Sequence, residues 1–313
     1  MKSTQSSSAE SILIDPGVVA ASGSASPTWL GDVYQLTKPR MNFLIVTTTF
    51  VGLFVAARAA NVPWVNLLLL HTLAGTALTA ASASVFNQVI EREYDSRMPR
   101  TRKRPLAAGR LGVVESIVFG SVLGVAGVAW LAVGVNLLTA GLGLLTLAIY
   151  VLVYTPLKRI SPWCTLVGAV PGAIPPMMGV TAVMGQITPL AWTLFAILAA
   201  WQMPHFFALA IMYKNDYAAG GFRMLPNCPN GDARTRFQII AYTALLLPIS
   251  LLPIFTSDAR WIYGVAATIL GAWFMARAWA CRKPAADTKN ERRLFLASLL
   301  YLTLILAAVM VDQ

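Results

Sequence analysis

The sequence is poor in the residues that build disulfide scaffolds, zinc modules and solvated surfaces. Its 313 residues include 3 Cys, 2 His and 13 Asp+Glu, and charged side chains make up 12% of the chain. The cysteines, Cys164, Cys228 and Cys281, are odd in number and widely spaced, which excludes a disulfide framework and a clustered zinc site. Soluble domains carry about 25% charged residues, so the scarcity of charge also argues against a soluble protein.

Long apolar runs are abundant instead. Hydrophobic residues make up 57% of the chain. A helix needs about 20 mostly apolar residues to cross the hydrocarbon core of a bilayer. Nine stretches meet this requirement, at approximately residues 41–60, 65–87, 113–133, 137–154, 164–184, 190–213, 237–255, 262–280 and 294–310. The sequence therefore predicts an all-α polytopic membrane protein, a bundle of nine transmembrane helices. The fifth stretch is the least regular, because Pro171, Gly172, Pro175 and Pro176 interrupt it.

The basic residues lie almost entirely on one side of the predicted spans. A net charge of +11 would suit a nucleic-acid partner if it formed one exposed patch. Instead, 22 of the 24 Lys and Arg residues precede the first span or follow an even-numbered one. Lys and Arg concentrate in cytoplasmic loops of membrane proteins. We therefore expect a cytoplasmic N-terminus, an outer C-terminus and no nucleic-acid partner.

The first 40 residues differ from the rest of the chain. They are rich in Ser, Ala and Gly and contain no apolar run of signal-peptide type. Such a composition cannot bury enough apolar surface to fold. The sequence predicts a disordered cytoplasmic tail over residues 1–40 and a single intramembrane domain over residues 41–313.

An acidic cluster lies where the second predicted span leaves the membrane. Asn87, Glu91 and Asp95 are four residues apart, so they share one face of a helix. Oxygen ligands one turn apart suit a hard cation such as Mg²⁺. A basic run that includes Arg100 and Arg104 follows, and guanidinium groups bind phosphate. The segment predicts a Mg²⁺–diphosphate site, or else carboxylates paired with interleaved arginines on a solvated loop.

A second cluster occurs at the corresponding end of the sixth predicted span. Asp216 lies there, with Lys214 and Arg223 close in sequence. Spans two and six thus both end in acid and base on the same predicted face, which is consistent with a pseudo-repeat that shares one mouth. The loop after the fourth predicted span holds Lys158 and Arg159. These two residues either close the phosphate site or anchor span ends at the lipid headgroups.

Three motifs lie in separate loops. The first begins at Asn87 and ends with the Arg-Pro-Leu at 104–106. The second is the Tyr-Thr-x-Leu-Lys-Arg at 154–159, and the third is the Trp-Gln-x-Pro-His-Phe at 201–206, followed by Asp216. Together they resemble the UbiA superfamily of intramembrane prenyltransferases, and within it the branch that farnesylates haem. The superfamily pattern Asn-x3-Asp-x3-Asp reads Asn-Glu-Asp here. His205 stands where other branches carry acid, which favours the haem branch and makes a second metal less secure.

The resemblance implies transfer of the farnesyl group of farnesyl diphosphate to a vinyl group of haem B, which gives haem O for haem-copper oxidases. Mg²⁺ would be the cofactor, and haem B a substrate rather than a prosthetic group. The implied catalytic residues are Asn87, Glu91, Asp95, His205 and Asp216, of which the first three would bind Mg²⁺. The implied diphosphate-binding residues are Arg100, Arg104, Lys158, Arg159, Lys214 and Arg223. The implied location is the bacterial inner membrane with a cytoplasm-facing site, and a haem A synthase is a candidate partner.

The sequence predicts different roles for the two histidines. On a continuous helix, His205 would share a face with Asp216 and lie about 16 Å deeper in the membrane. Ionisable groups inside membranes are functional candidates, here as a haem iron ligand, a porphyrin contact or a proton acceptor. The alternative is a neutral histidine hydrogen-bonded between helices. We expect His71 to be structural, because about 24 Å of helix separates it from Asn87.

Two other functions remain open. A prenyltransferase acting on a quinone precursor would share the phosphate site but needs a different acceptor pocket, and the Trp-Gln-x-Pro-His motif argues against it. A transporter would place charges along a path open to both membrane faces. Here the acids lie almost wholly at the predicted cytoplasmic ends, with Asp258 and the terminal Asp312 as exceptions. A one-sided site favours an enzyme.

Overall fold

The computed structural model describes residues 28–284 and 287–312, and this part of the chain is helical with no strand. Its helices are α1 (Trp29–Leu36), α2 (Pro39–Ala59), α3 (Leu67–Asp95), α4 (Val113–Gly134), α5 (Leu137–Ala148), α6 (Thr155–Ile160), α7 (Cys164–Met184), α8 (Pro189–Met212), α9 (Lys214–Ala219), α10 (Gly231–Ile249), α11 (Pro253–Thr256), α12 (Trp261–Ala280) and α13 (Lys289–Val311). In these ranges, nine helical segments are long and apolar enough to cross a membrane. The all-α class and the nine predicted spans are confirmed.

The fifth span, α7, is continuous despite its prolines, which all lie inside the helix and are buried. It packs on α2 with the two backbones in close contact. A Cβ atom on Gly52 would lie 2.0 Å from the carbonyl oxygen of Pro176, and one on Gly179 would lie 2.1 Å from that of Thr49. Small residues permit such close approach between membrane helices. Burial among neighbouring helices explains why the breakers are tolerated.

The fourth span changes helix type just before the site. A π-helical stretch, Ile149–Tyr154, joins α5 to α6, which continues to Ile160. Single π turns inside α-helices are rare. Those that do occur are often found at functional sites. The segment 154–159, expected to be a loop, is instead the helical end of the span. Lys158 and Arg159 therefore lie on a helix that packs against α3.

The sixth span, α8, ends at Met212, and the short helix α9 starts at Lys214. Tyr213 between them has φ −110° and ψ 27°, which interrupts the helix. The expectation that His205 and Asp216 share a face of one continuous helix is therefore wrong. His205 lies about 10 Å from the end of α8, because the helix rises about 1.5 Å per residue.

Part of the predicted disordered tail is folded, while residues 1–27 lie outside the described ranges. Residues 29–36 form α1, and the buried Asp32 makes a bidentate ion pair with Arg110, with both N···O distances 2.8 Å. The hydrogen bonds from Arg110 hold the pKa of Asp32 below its usual range. The prediction of disorder is wrong for this part, because Arg110, which is distant in sequence, holds α1 against the loop between α3 and α4.

The last three spans meet in a buried ion pair. Arg236 NH1 lies 2.5 Å from Glu291 Oε1 and donates to the Cys281 carbonyl oxygen at 2.7 Å. The predicted spans begin at 237 and 294, but α10 and α13 begin earlier, at Gly231 and Lys289. The predicted starts were late because a hydropathy criterion excludes charged residues from a span. In the structure, Arg236 and Glu291 lie inside the helices, because each buried charge is paired with the other.

Candidate active site

The acidic face of α3 is buried at the end of the helix. Asn87, Glu91 and Asp95 have exposed fractions of 1%, 3% and 1%. Buried carboxylates are costly unless they are paired. Their surroundings therefore decide whether the predicted one-face arrangement is a site or a set of solvated loop charges.

Both carboxylates are paired with cations from other segments. Lys158 Nζ, on α6, lies 2.8 Å from Glu91 Oε1. Arg104 NH1, in the loop after α3, lies 2.6 Å from Asp95 Oδ2. Of the two roles open for Lys158, the structure gives it the position beside the acidic face and not one at the headgroups, since its side chain is only 17% exposed.

Asn87 has two partners that the sequence did not indicate. Lys38 Nζ lies 2.5 Å from Asn87 Oδ1, and Asn87 Nδ2 donates to Thr155 Oγ1 at 3.2 Å. Lys38 is the residue before α2 and has a left-handed backbone, with φ 47° and ψ 61°. Burial, with Arg104 nearby, lowers the pKa of Lys38 to about 7. By composition, Lys38 is one of several basic residues before the first span; its place next to Pro39 at a helix start was the available signal.

The donor set fits Mg²⁺. The described residues contain no group of three or more His, Cys, Asp or Glu side chains that could hold a metal. Two carboxylates and the Asn87 amide oxygen are nonetheless hard oxygen ligands, and Mg²⁺ is commonly held by one or two carboxylates together with substrate phosphates. Lys158 and Arg104 balance the charges of Glu91 and Asp95, and Lys38 adds positive charge when it is protonated, so the cluster complements an anion.

The loop after α3 reaches the end of α8. The Arg100 guanidinium lies 5.1 Å from the centre of the Tyr213 ring. Arg159 donates to the Tyr94 hydroxyl at 2.9 Å. These contacts bring two of the predicted phosphate-binding arginines to the periphery of the α3 cluster rather than into it.

The segment after α9 covers the cluster. Phe222 is buried, its ring centre lies 5.8 Å from that of Tyr94, and Lys158 Nζ lies 5.9 Å from the Phe222 ring. The backbone N–H of Arg223 donates to the Lys158 carbonyl oxygen at 2.8 Å. The two predicted mouths, after spans two and six, therefore meet in space.

The polar residues of the second mouth are more exposed than those of the first. Lys214 Nζ lies 2.8 Å from Asp232 Oδ2, and both side chains are largely solvent-accessible. The Arg223 side chain is exposed and Asp216 is half-buried. Within the described ranges, the Asp216 carboxylate has no ion-pair partner. Only the first acidic motif forms a buried cluster.

The histidines lie away from the α3 cluster. His205 contacts α13, with its Nδ1 atom 2.7 Å from Ser298 Oγ. His71 lies in the first turns of α3, at the opposite end from Asp95, with its ring centre 5.5 Å from that of Trp130. The contact with Ser298 is the hydrogen bond between helices that was expected if His205 is structural. It does not exclude a functional role for the other ring nitrogen.

Comparison with known proteins gives the family. The sequence profile of the UbiA prenyltransferase family matches residues 45–300. This chain belongs to the UbiA prenyltransferase family. Its reaction class is therefore prenyl transfer, as the buried acidic and basic cluster suggests.

Curated relatives of this UbiA-family chain match it almost from end to end. A protein of Solibacter usitatus named "Protoheme IX farnesyltransferase" is 42% identical over 291 residues, covering 90% of this chain and 98% of the relative. A protein of the same name from Koribacter versatilis is 40% identical over 309 residues, covering 97% and 99%. Both matches therefore span nearly the full length of the relatives.

Solved structures share the fold of this UbiA-family chain. A digeranylgeranylglyceryl phosphate synthase has a TM-score of 0.72 at 16% identity, covering 90% of this chain and 98% of the other. A UbiA homologue from Archaeoglobus fulgidus, bound to DMAPP and Mg²⁺, has a TM-score of 0.60 at 14% identity, covering 89% and 99%. At these identities, the likeness establishes the fold alone.

Proposed function

We propose that this protein transfers the farnesyl group of farnesyl diphosphate to a vinyl group of haem B and so forms haem O. The observation that carries the proposal is the identity of 42% and 40%, over nearly the whole chain, with relatives named protoheme IX farnesyltransferase. The buried cluster on α3 supports the diphosphate half of the reaction. The haem-type motif at 201–206 supports the acceptor half, and nothing comparable supports a quinone precursor or a transport path.

The basic residues of the cluster stabilise the leaving group. Ionisation of an allylic diphosphate places negative charge on the departing oxygens, and fixed cations in a poorly solvated site favour that charge. Lys158, Arg104 and Lys38 already lie 2.5 to 2.8 Å from side-chain oxygens of α3. We infer that they turn from these oxygens to the phosphate oxygens when substrate binds, with Arg100, Arg159, Lys214 and Arg223 assisting from the rim.

Asn87, Glu91 and Asp95 are the residues that would hold Mg²⁺. When bound, Mg²⁺ supplies Lewis-acid stabilisation of the diphosphate. The buried carboxylates need a counter-charge with and without substrate. Without substrate, Lys158 and Arg104 provide it; with substrate, Mg²⁺ would provide it. We assign Asp216 to the same mouth as an assisting carboxylate, since the segment after α9 covers Lys158.

The apolar helix bundle protects the allylic cation from premature capture by water. A water-restricted cavity prevents this side reaction. We place the acceptor beside His205, which lies about 10 Å below the end of α8. The proposed acceptor is haem B, bound as a substrate.

The proposal includes an orientation and a location. The end of α3, the helix α6 and the segment after α8 carry basic residues that the positive-inside rule assigns to the cytoplasm. We infer a bacterial inner-membrane protein with its site facing the cytoplasm, a single intramembrane domain, and a haem A synthase as the partner that accepts the product.

The test uses the full chain in detergent or nanodiscs, supplied with farnesyl diphosphate, Mg²⁺ and haem B, and product analysis by mass spectrometry. The wild type should form haem O. Asp95→Ala should abolish product, because a buried ligand is lost and Arg104 is left uncompensated. Glu93→Ala is the matched control on the same helix end: Glu93 is 66% exposed in its side chain and pairs with Arg92, so activity should be retained.

Two results would contradict the proposal. Prenylation of a phenolic quinone precursor in place of haem B would assign a different acceptor. Activity of Asp95→Ala equal to that of Glu93→Ala would remove the metal and diphosphate assignment from α3.

A further inference from the structure

Two aromatic side chains pack against the ring of His205. The Trp201 ring stacks on it with centres 5.1 Å apart and planes 28° apart. On α13, the Phe295 ring centre lies 4.6 Å away, at 33°. The ring nitrogen Nδ1 lies 2.7 Å from Ser298 Oγ. Two ring contacts and one nitrogen contact therefore restrain the imidazole.

The hydrogen bonds of Ser298 determine which atom carries the proton between the two side chains. Ser298 Oγ lies 2.6 Å from the carbonyl oxygen of Phe295. Two oxygens at that distance repel unless a proton lies between them, and a carbonyl has none to give. The single hydroxyl proton of Ser298 is thus donated to Phe295. The hydroxyl oxygen must then accept at its other contact, so His205 Nδ1 is the donor.

A third contact fixes Ser298 itself. The Trp201 indole N–H donates to the Ser298 carbonyl oxygen at 2.7 Å, and both residues are buried. The residue that stacks on the imidazole therefore also holds the backbone of the residue that accepts its proton. This couples α8 to α13 at one point and leaves little freedom for the ring to turn over.

The opposite nitrogen has no such partner. Among the described residues, none makes a hydrogen bond to His205 Nε2, although the side chain is only partly exposed. In a neutral imidazole that carries its proton on Nδ1, Nε2 has a lone pair. Histidines that bind metals commonly donate the other ring N–H to an oxygen acceptor, which sets the tautomer and strengthens the ligand.

We propose that Ser298 is a positioning residue that holds His205 as the Nδ1–H tautomer, so that Nε2 is the electron-pair donor to the iron of the haem acceptor. The assignment of iron as the ligand of Nε2 rests on the proposed function. The tautomer itself follows from the contacts of Ser298. A porphyrin held by its iron beside the α8–α13 contact would be oriented for attack at one edge of the macrocycle.

The experiment reads the tautomer directly. The chain has 2 His residues, so ¹⁵N-histidine labelling gives only two imidazole signal sets, and His71→Gln assigns them. In the full chain in nanodiscs, we expect His205 to show a protonated Nδ1 and an unprotonated Nε2. An Nε2–H ring, an imidazolium or an even mixture of tautomers would overturn the proposal. This reading needs no variant at Ser298.

Ser298→Ala should mix the tautomers and lower haem turnover about 10- to 100-fold, the usual effect of losing an outer hydrogen-bond partner of a metal ligand. It should also shift the absorption spectrum of bound ferric haem while binding of a farnesyl diphosphate analogue stays unchanged. Ser298→Thr keeps the hydroxyl and should restore the wild-type signals. Equal loss of haem turnover and analogue binding in Ser298→Ala would make Ser298 merely structural and contradict the proposal.

The two proposals fail in different ways. An Nδ1–H ring in a protein that forms no haem O would overturn the proposed function and the iron ligand together, and leave the tautomer established. Haem O formation by a protein whose His205 is Nε2–H would overturn the role of Ser298 alone.

Discussion

Replacing Glu291 with Gln should destabilise the protein more than any comparable change at an exposed acid. The side chains of Glu291 and Arg236 are 1% and 8% exposed, and their charged atoms lie 2.5 Å apart. Neither Arg236 Nε nor Glu291 Oε2 has a hydrogen-bond partner among the described residues. The intact pair therefore contributes little net stability. Removing one partner leaves a buried charge uncompensated, which costs about 3–5 kcal/mol.

The matched control is Asp232→Asn on α10, whose ion pair with Lys214 is 51% and 39% exposed and should be worth about 0–1 kcal/mol. A second comparison is the double replacement Arg236→Met and Glu291→Leu, which removes both charges and should recover most of the loss. The assay is the temperature at which the monomer peak disappears in size-exclusion chromatography in detergent. At about 2–4 °C per kcal/mol, Glu291→Gln should lower it by about 6–20 °C. Equal shifts for Glu291→Gln and Asp232→Asn would refute the reasoning.

Lys158→Met should lower the rate of prenyl transfer about 100-fold or more, as removal of one charge-stabilising donor typically does. Lys158→Arg should recover part of that rate in the same assay of haem O formation; a fully active Lys158→Met would contradict the leaving-group role. Gly52→Ala should cost at least about 1–3 kcal/mol, because the added methyl would lie 2.0 Å from the Pro176 carbonyl oxygen and must push α2 from α7. Gly141→Ala is its control, since nothing lies within 4 Å of that position, and thermal denaturation that fails to separate the two variants would argue against the close helix contact.

Much of the fold could be predicted because its causes are local in the sequence. Each span is a run of apolar residues, and length and composition suffice to recognise it. The acidic face of α3 was predictable for the same reason: a spacing of four residues stacks side chains on any helix. The continuity of α7 was less secure, since nothing local shows that neighbouring helices bury its prolines.

The errors share one physical cause. The same-face argument for His205 and Asp216 assumed an unbroken helix, and the break at Tyr213 is visible only in the backbone angles. The tail was predicted to be disordered from its composition, but Asp32 is held by Arg110, 78 positions away. Both outcomes depend on how distant segments pack, which local composition does not contain.

The sequence by itself determined that this chain is a nine-span helical membrane protein with its positive charge on one side. It also determined that Asn87, Glu91 and Asp95 share a helix face. Only the tertiary structure decided which cations face that surface: Lys38 reaches Asn87 across 49 positions, and Lys158 reaches Glu91 across 67. It likewise decided the protonation of His205, through a serine 93 positions away. Periodicity and hydropathy act within one helix, whereas a charge-compensated site exists only where several helices meet.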